Sequence, residues 1–159
     1  GHMSIDRDGP LCTCGNVGCL ESLASGTAIA KLASERLERG TGGLLAEMVG
    51  GDPARLNSKA VMDAAALRDP LATEVVEQFA NDLGLGLSNL LHIFNPEIVI
   101  LGGGVSQNLH LFFPLLKAAV RRHAMAHIKD RIPLVASILG DDAALLGAAH
   151  MAFQRGGRG

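Results

Sequence analysis

Three cysteines lie close together near the start of the chain, in the stretch CTCGNVGCLE, and its 159 residues contain no others. Cys12, Cys14 and Cys19 follow the pattern C-x-C-x4-C, with Gly15 and Gly18 between the last two. Glycine tolerates the positive-φ turns by which a short loop brings several side chains around one point. Thiolates gathered this way suit a metal ion, and a structural zinc site takes four ligands, so one more is required. His2 precedes Cys12 closely enough for an irregular loop to return it, which completes a Cys3His set. Two other readings of the same residues stand beside this one: free thiols in a tight turn, or a redox pair. An odd number of thiols cannot pair completely within one chain. C-x-C is poorly shaped for an easy disulfide, and no C-x-x-C is present. The opening Gly-His-Met also has the form of a remnant left by tag cleavage.

Three further groups could do chemistry. Glu21 follows the cysteine loop at what should be the first turn of a helix, where the helix dipole favours a carboxylate. Held rigidly there, it could accept hydrogen bonds from two sugar hydroxyls, or it could cap the helix amides. Gly102, Gly103 and Gly104 follow an apolar β-branched run and precede a helical pattern. Backbone amides in such a turn can approach a phosphate or nucleoside closely. The same glycines also suit a plain strand-to-helix turn, and they form neither G-x-G-x-x-G nor a P-loop. Ser106, Gln107 and Asn108 could add polar contacts beside them. Asp141 and Asp142, side by side before an apolar helix, read as caps rather than catalysts. Among the remaining histidines only His123 and His127 share a helical i, i+4 spacing, and both read as surface residues.

The elements that must position these groups can be read from the apolar periodicity. Residues 4–18 lack a helical period and form an irregular loop. Leu20–Glu38 is an amphipathic helix interrupted near Ser25-Gly26-Thr27, closed by Gly40, Gly42 and Gly43. A short helix spans Leu44–Met48, and Gly50–Pro53 is a turn. Asn57 or Ser58 caps a helix to about Leu67. Asp69 followed by Pro70 starts the longest helix, to about Phe94. Gly84, Gly86 and Ser88 leave its middle slim for close packing. A strand at Glu97–Leu101, a helix at Asn108–Met125, a strand at Pro133–Ile138 and a helix at Asp141–Phe153 complete the order, with a frayed tail over 156–159. This pattern predicts an α/β fold with a parallel pair of buried strands.

Composition narrows the function classes. Acidic and basic residues number 16 and 14, for a net charge of -2, and they are interspersed. No basic block suggests a nucleic-acid surface. Tyr and Trp are absent and only five Phe occur, which removes the usual platforms for stacking bases or sugars. No apolar run approaches the roughly 18 residues of a membrane span. No leader pattern precedes the first element. The expectation is a soluble, cytoplasmic protein with neither membrane nor nucleic-acid partner.

The stretch GHMSIDRDGPLCTCGNVGCLE resembles the signature of the ROK family (repressors, uncharacterised reading frames and sugar kinases): G-H, about ten residues, then C-x-C-G-x-x-G-C-x-E. The likeness continues through NPEIVILGGGVSQN and LGDDAALLGAA. It implies that His2, Cys12, Cys14 and Cys19 are the ligands of a structural zinc ion. It further implies that Glu21 and His2 face a hexose or N-acyl hexosamine, and that the Gly102–Gly104 turn contacts ATP. The implied fold is part of the C-terminal lobe of an actin-like, ribonuclease H-like ATPase. Residues 1–19 would be the zinc loop and 20–155 the partial lobe, in a family that usually forms dimers. The family's D-x-G-[GT]-T-like phosphate loop and catalytic Asp have no counterpart here, so no catalytic residue is nominated. The resemblance therefore points to roughly the C-terminal half of a glucokinase-like enzyme using ATP and Mg2+, inactive alone, or of a sugar-responsive transcriptional regulator.

Overall fold

The longest helix organises the molecule. In the computed structural model, α5 spans Pro70–Phe94. The carboxylate of Asp69 starts it by accepting from the Ala72 N–H at 2.8 Å, and Pro70 occupies the first helical position. Asn95, in the left-handed region at φ 42°, ends it. Asp69 is buried, and its other carboxylate oxygen accepts from the Leu45 N–H at 3.2 Å, so one side chain caps two helices. The second of these is α3, Leu44–Met48. The structure describes residues 1–40 and 43–156, without the side chains of Gln107, Asp141 and Arg155. The expectations placed on Gly42, on the side chains of Gln107 and Asp141, and on residues 157–159 of the tail lie outside the described residues.

Val75, Val76, Phe79, Leu87 and Leu91 form the buried stripe of α5. Helix α6, Leu109–His123, lies along it. The rings of Phe79 and Phe112 meet edge to face at 5.0 Å, and full burial of each adds about 1.5–3 kcal/mol. Close approach of the two helices depends on Gly84: a Cβ there would lie 2.4 Å from the Cβ of Ala119. Ser88 is fully buried and donates to the Gly84 carbonyl at 2.7 Å, which satisfies its hydroxyl. Helices α2, Gly26–Leu37, and α4, Ser58–Ala66, cover the other side with Ile29, Ala33, Val61 and Met62.

The interruption expected near Ser25-Gly26-Thr27 divides the segment into two helices. The first, α1, is a single turn, Leu20–Leu23, and the chain breaks at Ala24. Ser25 then caps α2 by accepting from the Ala28 N–H at 3.1 Å. The strands are shorter than expected: β1 is Val99–Leu101 and β2 is Leu134–Ala136, parallel, with Ile100 opposite Val135. Pro133 has no N–H to extend the ladder. They are not buried on both faces either. Val99, Leu101 and Leu134 pack on the helical core, whereas Ile100 on the opposite face is 62% exposed. A two-stranded sheet covered on one side only leaves alternate residues to solvent.

Beyond β2 a 3-10 turn, Gly140–Asp142, leads into α7, Ala143–Gly156. That helix exposes Leu145 and Phe153 at 72% and 81%. Ile100 and Ile138 are exposed as well. No described helix is long and apolar enough to cross a membrane.

Candidate functional site

The loop of residues 1–19 has little regular structure, but its backbone is well tied. Ser4 bridges Cys19 and Leu11 bridges Val17, both antiparallel. Gly18 accepts from the Ile5 N–H at 2.8 Å and donates to the Pro10 carbonyl at 2.9 Å. It sits at φ 64°, and a Cβ there would lie 1.5 Å from the Asp6 carbonyl oxygen. Only glycine fits this conformation and this gap together.

The loop brings together the four residues singled out from the sequence. The ligand atoms of His2, Cys12, Cys14 and Cys19 all lie within 4.8 Å of one another. His2 Nδ1 is 3.6 Å from Cys12 Sγ, and Cys14 Sγ is 3.6 Å from Cys19 Sγ. A tetrahedron with metal–sulfur bonds of about 2.3 Å has edges of about 3.8 Å, so the set fits a zinc-sized ion if its longest separation closes by about 1 Å. Because Nδ1 is turned to the cluster, Nε2 of His2 is left for another partner.

Crowding splits the protonation of the thiols. The Cys14 backbone N–H, helped by His2 and the other thiols, pulls Cys12 down to about 6 against the opposing effect of burial. Burial, reinforced by the neighbouring thiols of Cys14 and Cys12, pushes Cys19 up to about 11. Three sulfurs this close cannot all carry charge unless a positive ion sits among them.

The loop is docked on the start of α1. The Leu20 N–H donates to the Met3 carbonyl at 2.8 Å, and the Glu21 N–H to the Gly1 carbonyl at 2.7 Å. These bonds satisfy two of the free amides at a helix N-terminus. The exposed carboxylate of Glu21 makes no hydrogen bond among the described residues, so the capping role open to it in the sequence is taken by loop carbonyls instead. A Cβ on Gly1 would lie 2.7 Å from Glu21 Oε2, so the carboxylate rests against the residue preceding His2.

Glu21 also lines a cleft of about 400 Å³ with Ser25, Phe79, Phe112 and all three glycines, Gly102, Gly103 and Gly104. Gly103 has φ 87°, and the Cβ positions of Gly103 and Gly104 face open space. Their bare backbone is therefore turned to the cleft rather than packed against a neighbour. Ser106 closes the turn by donating to the Gly103 carbonyl at 2.6 Å, which occupies the hydroxyl expected to reach a ligand. A 3-10 segment, Gly104–Asn108, joins the glycine turn to α6, which starts within a residue of the expected position. Asn108 is half-buried and caps nothing with its side chain. The apolar floor of the cleft, Phe79, Leu83 and Phe112, carried no sequence signal because it comes from the core faces of α5 and α6.

The remaining candidates lie elsewhere. His127 is exposed as expected, but His123 is not a surface residue. The residue is half-buried, and its Nε2 is buried with no hydrogen-bond partner among the described residues. Asp142 is exposed in the 3-10 turn that precedes α7, and its side chain makes no hydrogen bond among the described residues. A larger cleft of about 450 Å³ between α2, α5 and α6 is lined largely by charged and polar side chains, several of them paired. There Arg36 pairs with Glu74 at 2.7 Å, and Arg122 donates to Asn81 at 3.2 Å.

The ROK family model matches residues 1–155 of this loop-and-cleft arrangement. The chain belongs to the ROK family. It is 36% identical to a glucokinase of Thermotoga maritima over 98% of the chain and 49% of that protein. It is also 34% identical to a putative xylose repressor of Caldicellulosiruptor, over 95% of the chain and 37% of the repressor. A crystal structure of a ROK family glucokinase from Streptomyces griseus, in complex with glucose and AMPPNP, superposes with a TM-score of 0.88 at 32% identity. That match covers 97% of this chain and 50% of the glucokinase. The ROK chain described here thus has the helix-rich α/β fold of its sugar-kinase relatives and spans about half their length.

Proposed function

We propose that the chain is the sugar- and nucleotide-facing half of a glucokinase-like ROK enzyme that transfers a phosphoryl group from ATP to a hexose hydroxyl. The observation that carries this reading is the shared cleft: Glu21 and the Gly102–Gly104 turn line one space of about 400 Å³. In this assignment Glu21 accepts hydrogen bonds from sugar hydroxyls, and His2, bound to the metal through Nδ1, donates from Nε2. The exposed glycine backbone lets the adenosine side of ATP approach closely. His2, Cys12, Cys14 and Cys19 hold a structural zinc ion, which fixes the first turn of α1 and with it Glu21. Mg2+ with ATP would neutralise the transferring phosphates. The phosphate loop and general base are assigned to the half of the relatives that this chain does not span. The substrate is a hexose or N-acyl hexosamine, the complete protein is a cytoplasmic homodimer, and residues 1–19 act as a zinc loop joined to a partial C-terminal lobe.

A second reading is the sugar-sensing half of a transcriptional regulator, favoured by the 34% identity to a xylose repressor. The relatives of both kinds support a sugar-binding lobe, so the two readings differ in what accompanies it. Calorimetry of the chain with glucose and with a non-hydrolysable ATP analogue tests the shared cleft. A kinase half binds both ligands through wild-type Glu21 and the glycine turn. A regulator half binds sugar alone. Phosphorylation of glucose by the chain by itself would overturn its assignment as an incomplete half.

A further inference from the structure

We propose that Cys14 and Cys19 are a reversible oxidation site that is masked by the metal and becomes reactive when the metal leaves. The proposal rests on the metal-centre reading above. The two sulfurs face each other at 3.6 Å, whereas Cys12 Sγ faces the His2 ring. Cys14 is exposed and Cys12 and Cys19 are buried, so Cys14 is the thiol an oxidant in solution reaches first. Its neighbour in the loop interior is then already in place to resolve the product. Gly15 and Gly18, both at positive φ, fold the intervening chain so that its ends meet, as a disulfide across x4 requires. Cys12 is less available for pairing. Its sulfur is engaged with the His2 ring at 3.6 Å.

The chemistry balances with a hydroperoxide as oxidant. The Cys14 sulfur attacks the peroxide O–O bond, becomes a sulfenic acid and releases an alcohol or water. The Cys19 thiol then attacks that sulfur, forms the disulfide and expels water. Two thiols lose two electrons and two protons, and the peroxide is reduced. A bound cation occupies both sulfurs and blocks the first step. The disulfide in turn removes two of four ligands, and the remaining His2–Cys12 pair cannot hold the ion. Because Cys19 immediately precedes α1, the oxidised loop no longer sets Glu21 as the metal does.

The test uses the chain in metal-free and zinc-loaded forms, each treated with a modest excess of hydrogen peroxide. Free thiols are alkylated with one reagent and, after reduction, released thiols with a second. The metal-free chain is expected to lose the mass of two hydrogens. The first label should then be on Cys12 and the second on Cys14 and Cys19. Zinc should slow the reaction at least about tenfold, and a thiol reductant should reverse it. The pairing should lose its selectivity in urea, which shows that the folded loop directs it. A crosslink that includes Cys12, or irreversible oxidation with no crosslink in the folded chain, would overturn the proposal. Zinc stoichiometry separates the two readings. A reduced chain that binds no zinc sinks the metal centre. One that binds zinc but pairs other cysteines sinks only the oxidation site.

Discussion

The amide of Glu21 donates to the carbonyl of Gly1 at 2.7 Å, across the cysteine loop that separates them in sequence. This bond, with that from Leu20 to Met3, makes the loop a splint for the first turn of α1. The carboxylate proposed to meet the sugar is thereby positioned by the segment that also carries His2, a proposed metal ligand.

Metal removal should therefore be felt at Glu21 before it is felt in the core. A chain with zinc at about a thousandfold over Kd gains about 4 kcal/mol against unfolding by mass action. Chelation should lower the melting temperature accordingly and raise hydrogen exchange at Leu20 and Glu21, while α5 keeps its protection. Cys19→Ser should show the same low stability with or without zinc. A zinc-dependent shift that survives in that variant would show that the metal binds elsewhere.

Gly18→Ala should cost at least about 2 kcal/mol, since it adds a clash with the Asp6 carbonyl to the strain of a positive φ. It should weaken zinc binding as well, because Gly18 immediately precedes Cys19. Gly15→Ala is the control. Its φ is 88° but its Cβ would meet nothing within 4 Å, so only the strain of about 1 kcal/mol applies. Denaturant titrations of the two variants should differ in that order.

Gly84→Ala tests the closest approach of α5 and α6. Alanine in a helix interior gains about 1 kcal/mol of propensity over glycine. Overpacking against Ala119 costs about 1–3 kcal/mol, so the net effect should be a loss. If the variant is more stable than the wild type, the helices have room that the 2.4 Å approach denies.

Asp82 gives the chain a pH dependence of its own. Burial raises its carboxyl above the ordinary range, against hydrogen bonds from Gln78 and Asn81 that lower it. The native state therefore holds this proton at pH values where the unfolded chain has released it, so ∂ΔG/∂pH is negative in that window. Stability from this group rises as pH falls through the folded-state value, and the cost of burying the charge is fully present above it. Asp82→Asn keeps an acceptor for Gln78 and removes the charge. It should be more stable than wild type at neutral pH, and the difference should shrink toward the ordinary carboxylate range. A difference that stays constant with pH would remove Asp82 as the cause.

The local rules were legible in the sequence wherever one short segment decides the outcome. Asp69-Pro70 starts α5, and Asn57 caps α4 by accepting from the Ala60 N–H at 2.9 Å. Gly84 marks close packing because a missing side chain leaves its trace in the sequence. That His2, Cys12, Cys14 and Cys19 come together was legible for the same reason, since residue type and loop spacing lie within residues 2–19 and glycines announce the turns. Tertiary structure alone decided that loop carbonyls, not the Glu21 side chain, satisfy the start of α1. It alone brought Glu21 and Gly102–Gly104 to one cleft, over a floor of Phe79 and Phe112. It also left Ile100 exposed where buried strands were expected, and buried the Nε2 of His123. Hydrogen bonding and burial between segments far apart in sequence depend on how whole elements dock, and periodicity within each element carries no record of its partner.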